Sequence, residues 1–539
     1  MPALRRRWNA LEPILRLAGF SLVGLACLGP LLVLLYGALA ALPQHPDWLL
    51  LALPTGRRAG LLVNSLGLAG GSALAGMTVG FLAALALWRM PGRAARLLRG
   101  MALIFLPLPP SIHALAWMAA VQGLNTLLAS LGMPEIRLMG WAATLWVQFM
   151  ALLPLAVGIC LVGLHTLDPD ALEAGEMLAP GLQVLGQVIL PLAAPMLAAG
   201  TGFLFLLTLV DHSVPGLFGV NTYALDIYAE FSASSQPGRA LLLALPCLVI
   251  GFIVLAGMQK GIRRVTQPVV WARKPALQMK LPAWLEILVN LGLGMVTLQV
   301  VVPFLTLAGS TGGAVRLWAS IWAARSEIRN TFWIATAAAL LCVVMGWLAA
   351  LWLACTRQGT GKARGAPAAW LVVTAPLAVP APLIGVALIA WFNRPAFGPA
   401  YGSILMPMLA AAARFLPFAA ILLAAQFRRV DPLLLDAARL HNTHPLRTFF
   451  RIRLPLAAPG LLAAGVVVFA LTLGELGATL LVIPPGQSTL TLRLYNYLHY
   501  GASEEVAGLS LLLTVLLVAA FGLGTLALSL WGRLQEAQS

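Results

Sequence analysis

Long uncharged apolar stretches alternate with short polar gaps along the whole chain. Leu61 to Trp88 and Thr331 to Cys355 contain no Asp, Glu, Lys or Arg, and each exceeds the roughly 20 residues a helix needs to cross a bilayer's hydrocarbon core. A spanning β-barrel would need segments of about 10 residues that alternate apolar and polar, and the chain shows no such alternation. The pattern predicts helices near 17–42, 60–88, 100–122, 138–164, 192–219 and 240–259, then near 283–308, 330–355, 369–393, 403–426, 456–483 and 506–531. The expected class is an all-α membrane protein with about 12 transmembrane helices.

The two sets of six repeat one another. Leu190-Pro191-Leu192-Ala193-Ala194-Pro195 recurs as Leu454-Pro455-Leu456-Ala457-Ala458-Pro459, Asp168-Pro169 as Asp431-Pro432, and Asn64-Ser65 as Asn330-Thr331. Six is an even number of crossings, so both halves start from the same side and the six-helix repeats are parallel, related by an axis along the membrane normal. The division is a first repeat over 1–265, a basic linker over 266–282 and a second repeat over 283–539.

Composition agrees, with 60% hydrophobic and only 10% charged residues against about a quarter charged in soluble domains. The net charge of +16 raises a nucleic-acid reading, which the placement of the bases excludes. Arg5 to Arg7, Arg89 to Arg99, Lys260 to Lys280, Arg357 to Arg364 and Arg428 to Arg453 lie in gaps between apolar spans, as the positive-inside rule expects of cytoplasmic loops. Both termini are then cytoplasmic, and the apolar run from Leu17 is too long for a signal peptide and reads as a retained first helix. Cys27, Cys160, Cys247, Cys342 and Cys355 all fall in apolar segments without ligand spacing, so neither a disulfide nor a metal site is expected.

The loop over 428–455 reads Asp436-Ala437-Ala438, three residues, Asn442, nine residues, Ile452, one residue, Leu454-Pro455; the loop over 165–191 offers Glu173-Ala174-Gly175 and Ile189-Leu190-Pro191. This pattern resembles the EAA motif, E-A-A-x3-G-x9-I-x-L-P, of the MetI-like membrane subunits of binding-protein-dependent ABC importers. The resemblance implies a coupling helix in each loop that docks on a cytoplasmic ATPase, two ATPase copies, an extracytoplasmic substrate-binding protein and an inner-membrane location. Asn442 stands for the motif's glycine, and asparagine is among the residues that tolerate positive φ. The first loop departs further. It is one residue shorter from Asp168 to Pro191, has Ala179 at the glycine position with Pro180-Gly181 as its turn, and carries no Lys or Arg.

The chain has no ATP site of its own. Gly359-Thr360-Gly361-Lys362 lacks a phosphate loop's first glycine, Thr356 standing there. Hydrolysis, with ATP and Mg, is therefore expected in partner subunits, and this chain is a transport subunit and not an enzyme. Leu473 to Thr479, Pro484-Pro485-Gly486 and Thr491 to Asn496 are most similar to the fused permeases of the ferric-iron and thiamine branch. The resemblance implies ferric iron as cargo, with thiamine, an aminoalkylphosphonate or another small solute as alternatives. A secondary transporter is the more distant alternative, against which the parallel repeat and paired loops argue.

Pathway candidates come from matched features. Pro107, Pro109 and Pro110 in the third span answer Pro376, Pro380 and Pro382 in the ninth, as either interrupted pathway helices or packing kinks. Asp211 and Glu475 each lie twenty residues beyond a Leu-Pro proline, about 30 Å of helix, which places both near the outer end of a span. There they either line the path or bond backbone amides or an arginine. Arg414, deep in the tenth span, is expected to pair within the protein or snorkel. His113 and His499 read as satisfied structural histidines and not as metal ligands.

Overall fold

A computed structural model describes residues 2–90, 92, 98–100, 108–266, 279–355, 366–431, 433–434, 437, 445–500 and 503–536. In order, the helices are α1 (Pro2–Ala41), α2 (Arg57–Arg89), α3 (Pro110–Ser130), α4 (Gly140–His165), α5 (Pro169–Leu178), α6 (Leu190–Leu209), α7 (Tyr223–Ser234) and α8 (Pro237–Val265). The second set is α9 (Ala283–Gly309), α10 (Arg325–Cys355), α11 (Ala366–Thr374), α12 (Ala381–Phe392), α13 (Leu405–Arg429), α14 (Leu454–Leu473), α15 (Leu490–Tyr500) and α16 (Ser503–Glu536). Eleven helices among the described residues are long and apolar enough to cross a membrane, or 12 with one bent pair counted as a span. The protein is an all-α membrane protein of two repeats.

Two expectations about the spans are corrected. The ninth span is a pair, Pro367–Ala378 and Ala381–Phe392, bent by 102°, because Pro380 has no N–H to continue the first helix and disfavours helical backbone before it. The fifth and eleventh spans end at Leu209 and Leu473, short of 219 and 483. In both halves the chain then turns back into a brief helix, Ser213–Leu217 or Thr479–Val482, before α7 or α15. In the third span α3 starts at Pro110 and residues 98–100 are helical; 101–107, Pro107 among them, lie outside the described residues.

The repeat extends to individual hydrogen bonds. Asn64 Nδ2 donates to the Asn221 carbonyl at 3.3 Å, and Asn330 Nδ2 to that of Ser488 at 3.2 Å. One residue on, Ser65 Oγ accepts from the Tyr223 N–H at 2.9 Å, as Thr331 Oγ1 does from the Leu490 N–H at 2.8 Å. Each hydroxyl thereby satisfies a first-turn donor of α7 or α15, which has no partner inside its own helix. Gly80 lets α2 press on α4, since a Cβ there would stand 2.7 Å from Ala156 Cβ; Gly346 does the same for α10 on α13, at 2.9 Å from Ala419 Cβ. Small residues at such crossings let membrane helices gain van der Waals contact along their backbones.

Not everything in a half stays with its half. Helix α1 packs on α10, α11 and α12 of the second repeat, while α9 packs on α2, α3 and α4 of the first. At these crossings Gly29 meets the Trp391 ring, 2.6 Å from where a Cβ would stand, and Gly292 packs tightly on Val79, Leu82 and Ala83, the Ala83 nitrogen 3.0 Å from its Cβ position. Arg89 and Glu286 add an ion pair of 2.6 Å between α2 and α9. Cys27, Cys160, Cys247 and Cys342 are buried free thiols, in keeping with packing roles; the side chain of Cys355 is outside the described set.

Candidate functional site

At one end of the bundle the two long loops are built alike where both are described. Asp168 Oδ1 accepts from the Asp170 N–H at 3.1 Å and Asp431 Oδ1 from the Leu433 N–H at 2.9 Å, each aspartate bonding to backbone two residues on. A π-helical turn, Leu185–Ile189 or Phe449–Arg453, then runs on into α6 or α14, the Leu190 N–H reaching back to the Leu185 carbonyl and the Leu454 N–H to that of Phe449, with Pro191 and Pro455, which lack an N–H, directly after this widened turn.

Glu173 and Ala174 are exposed on α5 and Gly175 faces inward, against Val184 and Val188. Ile189 is fully buried, Leu190 exposed, and Ile452, Leu454 and Pro455 half-buried. Aligned on Leu-Pro, Val188 and not Ile189 stands opposite Ile452. A Cβ at Gly175 would stand 3.5 Å from Val188 Cγ2, so Val188 is an apolar side chain that packs under α5 at this place. Ala437 is exposed, whereas Asp436, Ala438 and Asn442 lie outside the described residues, as does Gly359 to Lys362.

Both loops present apolar side chains outward. Met177 and Leu178 are 88% and 87% exposed, and Leu433, Leu434 and Phe450 are exposed in the second loop. Such side chains on a polar loop mark a surface built to be covered. Partial burial, and then Glu173 one turn earlier, push the Glu176 carboxyl above its usual value. Gly181 closes on the Lys280 carbonyl, 2.5 Å from where its Cβ would be, so the end of the linker rests against the first loop.

Between the halves lies a second polar assembly. Asp211 Oδ1 accepts from the Ser213 N–H at 3.0 Å and the Ser213 hydroxyl at 2.7 Å, and its Oδ2 accepts from Gln148 Nε2 at 3.3 Å. Glu475 Oε1 accepts from the Ala478 N–H at 2.8 Å, and its other oxygen forms an ion pair with Arg414. Each carboxylate thus holds the chain reversal after its helix and takes one side chain from the neighbouring span. In the register set by Gly80 and Gly346, Arg414 sits one helical turn from the place matching Gln148, so one half answers its carboxylate with an amide and the other with a guanidinium.

Asp211 and Glu475 each stand two residues beyond the last residue of α6 or α14, Leu209 and Leu473, at the span ends where the count of twenty residues puts them. Their partners Gln148 and Arg414 are eight residues into α4 and nine into α13, about 12 to 14 Å from the ends of those helices, so each carboxylate is met by a side chain from within the bundle. Arg414 pairs with Glu475. His113 is fully buried, yet neither ring nitrogen has a hydrogen-bond partner among the described residues, which corrects its reading as satisfied; the side chain of His499 is not described.

The prolines close the gap between the halves. Pro109 and Pro380 take the same helix-entry backbone, φ −56 and ψ 138 against φ −55 and ψ 135, with Pro110 and Pro382 in the following turns. Pro109 of the first half presses on Gly474 of the second, its Cγ 2.7 Å from where a Cβ would be. Beside this contact a crevice of about 20 Å³ is lined by Pro109, Ile112, Leu476, Thr491 and Tyr495, room for about one water. Any path along this line is shut in the present conformation.

Residues 362–537 match the family described as "Binding-protein-dependent transport system inner membrane component". The putrescine transport system permease protein PotI of Escherichia coli K12 is 27% identical over 36% of this chain and 72% of its own length. The molybdenum transport system permease protein ModB of Azotobacter vinelandii is 30% identical over 36% of the chain and 91% of its own. The putative 2-aminoethylphosphonate transport system permease protein PhnU of Salmonella typhi is 32% identical over 22% of the chain and 41% of its own.

Proposed function

Because the chain belongs to the family of binding-protein-dependent transport system inner membrane components, we propose that it is both halves of an ABC importer's permease in a single polypeptide. The observation that carries this is the pair of loops with matched aspartate turns, matched π turns and outward apolar side chains at one end of the bundle. Two copies of a cytoplasmic ATPase cover them, contacting Glu173, Ala174 and Met177 in one loop and Asp436, Ala437 and Leu433 in the other. That end and both termini are cytoplasmic in this reading. The crevice between Pro109 and Gly474 lies on the transport path, and an extracytoplasmic binding protein delivers a small solute to it.

For the cargo, the likeness of residues 473–479, 484–486 and 491–496 to ferric-iron permeases favours ferric iron. The relatives' names, spanning putrescine, molybdenum and 2-aminoethylphosphonate, define the panel against which it is tested. Expression with its cognate ATPase and binding protein in proteoliposomes should give uptake that needs ATP inside. Uptake by the purified chain without any ATPase would overturn the reading.

A further inference from the structure

Tyr228 and Tyr495 occupy matched places in α7 and α15, five residues beyond Tyr223 and Leu490, whose N–H groups make the matched bonds to Ser65 and Thr331. Tyr495 lines the crevice together with Ser213 of the first half and Leu476 of the second, so it stands where the two halves meet. His212 stacks on Tyr228, ring centroids 6.1 Å apart and planes 16° from parallel. Its far edge reaches Gly477 of the second half, its Cε1 3.2 Å from where a Cβ there would stand, with Arg414 around the same point.

His212 is 6% exposed, and its Nε2 has no hydrogen-bond partner among the described residues. Asp211, Arg414 and Glu475 are the charged groups that act on its ring. Arg414 is committed to Glu475. Asp211 accepts hydrogen bonds from Gln148, Ser213 and Val214 and forms no ion pair among the described residues. The cluster is therefore one negative charge in excess, lies inside the bundle where screening is weak, and has aromatic faces beside it that favour a positive ion.

We propose that this cluster is a cation site on the transport path. His212 Nε2 is its uncommitted ligand, Asp211 its balancing charge, and Tyr228 and Tyr495 its walls. The permease then favours positively charged cargo over oxyanions by its own residues. The inference rests on the importer reading and narrows its cargo to a cation. A metal ion and a protonated amine share this chemistry, and the test separates them.

The permease and ATPase complex in lipid nanodiscs would be titrated with ferrous ammonium sulfate under anaerobic conditions, putrescine and molybdate, following thermal stabilisation. The ferrous ion or putrescine should stabilise the wild type and molybdate should not; which cation acts identifies metal or amine. His212→Leu, which copies the residue matched to it in the second half, Leu476, should weaken the effective cation by about tenfold or more, the worth of one charge-assisted hydrogen bond. Asp211→Asn, which keeps the side chain's shape, should do the same. Equal stabilisation by molybdate, cation affinity within twofold of wild type in both variants, or no cation effect on a complex that still hydrolyses ATP would overturn the site alone. Failure of any ATPase to assemble would overturn the importer reading beneath it.

Discussion

His212 of the first half lies edge-on to Gly477 of the second, its Cε1 3.2 Å from where a Cβ at position 477 would stand. A Cβ there would also stand 2.7 Å from Ala381 Cβ. Gly477→Ala should therefore cost about 1–3 kcal/mol through overpacking, read as a lower midpoint of thermal unfolding in detergent. Ala381→Gly in the same chain should recover most of the loss; no recovery would place the strain elsewhere.

Arg414 and Glu475 should be far more sensitive singly than together. Replacing either by Gln leaves a buried charge without its partner, at a cost of about 3–5 kcal/mol, whereas the double change removes both charges and should be milder. Three melting curves decide it, and additive losses would count against a coupled pair. Glu475→Gln combined with Asp211→Asn should for the same reason destabilise the protein, while Asp211→Asn alone, keeping an oxygen for Ser213, should insert and bind ATPase normally.

Substituting Met177 and Leu178 by serine should release the ATPase without lowering the melting point of the permease, because both side chains are almost fully exposed. Pull-down of the ATPase checks this, and retention at wild-type yield would sink it. Bulky basic residues at Asp436 and Ala437 should uncouple hydrolysis from uptake more than the same change at Glu173 and Ala174, since the second loop keeps the full motif spacing; equal effects would contradict the asymmetry.

Glu176 gives a pH signature. Its carboxyl is raised in the folded state, so folding favours the protonated form and the residue works against stability once pH rises above its unfolded value. Glu176→Gln should raise the melting point at neutral pH, and the gain should vanish under acid conditions where both states are protonated. A gain independent of pH would rule out titration as its cause.

What was legible in the chain was what recurs in short words. Asn64-Ser65 and Asn330-Thr331 turned out to make the same two hydrogen bonds, and Asp211 and Glu475 the same kind of chain reversal. Tyr228 and Tyr495 were within reach too, as two of only seven tyrosines at matched spacing. The exchange of α1 and α9 was not legible, because hydropathy marks that a helix faces apolar surroundings and not whose surface supplies them. Nor was the bend before α12. Prolines inside α4 and α13, Pro154 and Pro417, leave those helices continuous, so a proline in an apolar run does not by itself distinguish a break from a tolerated insertion. The pairing of Arg414 was open between lipid headgroups and protein until Glu475 was seen one span away.

The exchanged first helices make the two repeats interlocked and not merely tethered. Severing the chain between 266 and 282 would leave α1 clasped by the partner fragment and α9 by the first, so the fragments should remain one particle, and each expressed alone should present an empty berth. Fusion in such an arrangement fixes stoichiometry: every first half is born beside one second half, and pairs of like halves, which would unite two carboxylate–amide or two carboxylate–arginine pairs, never form.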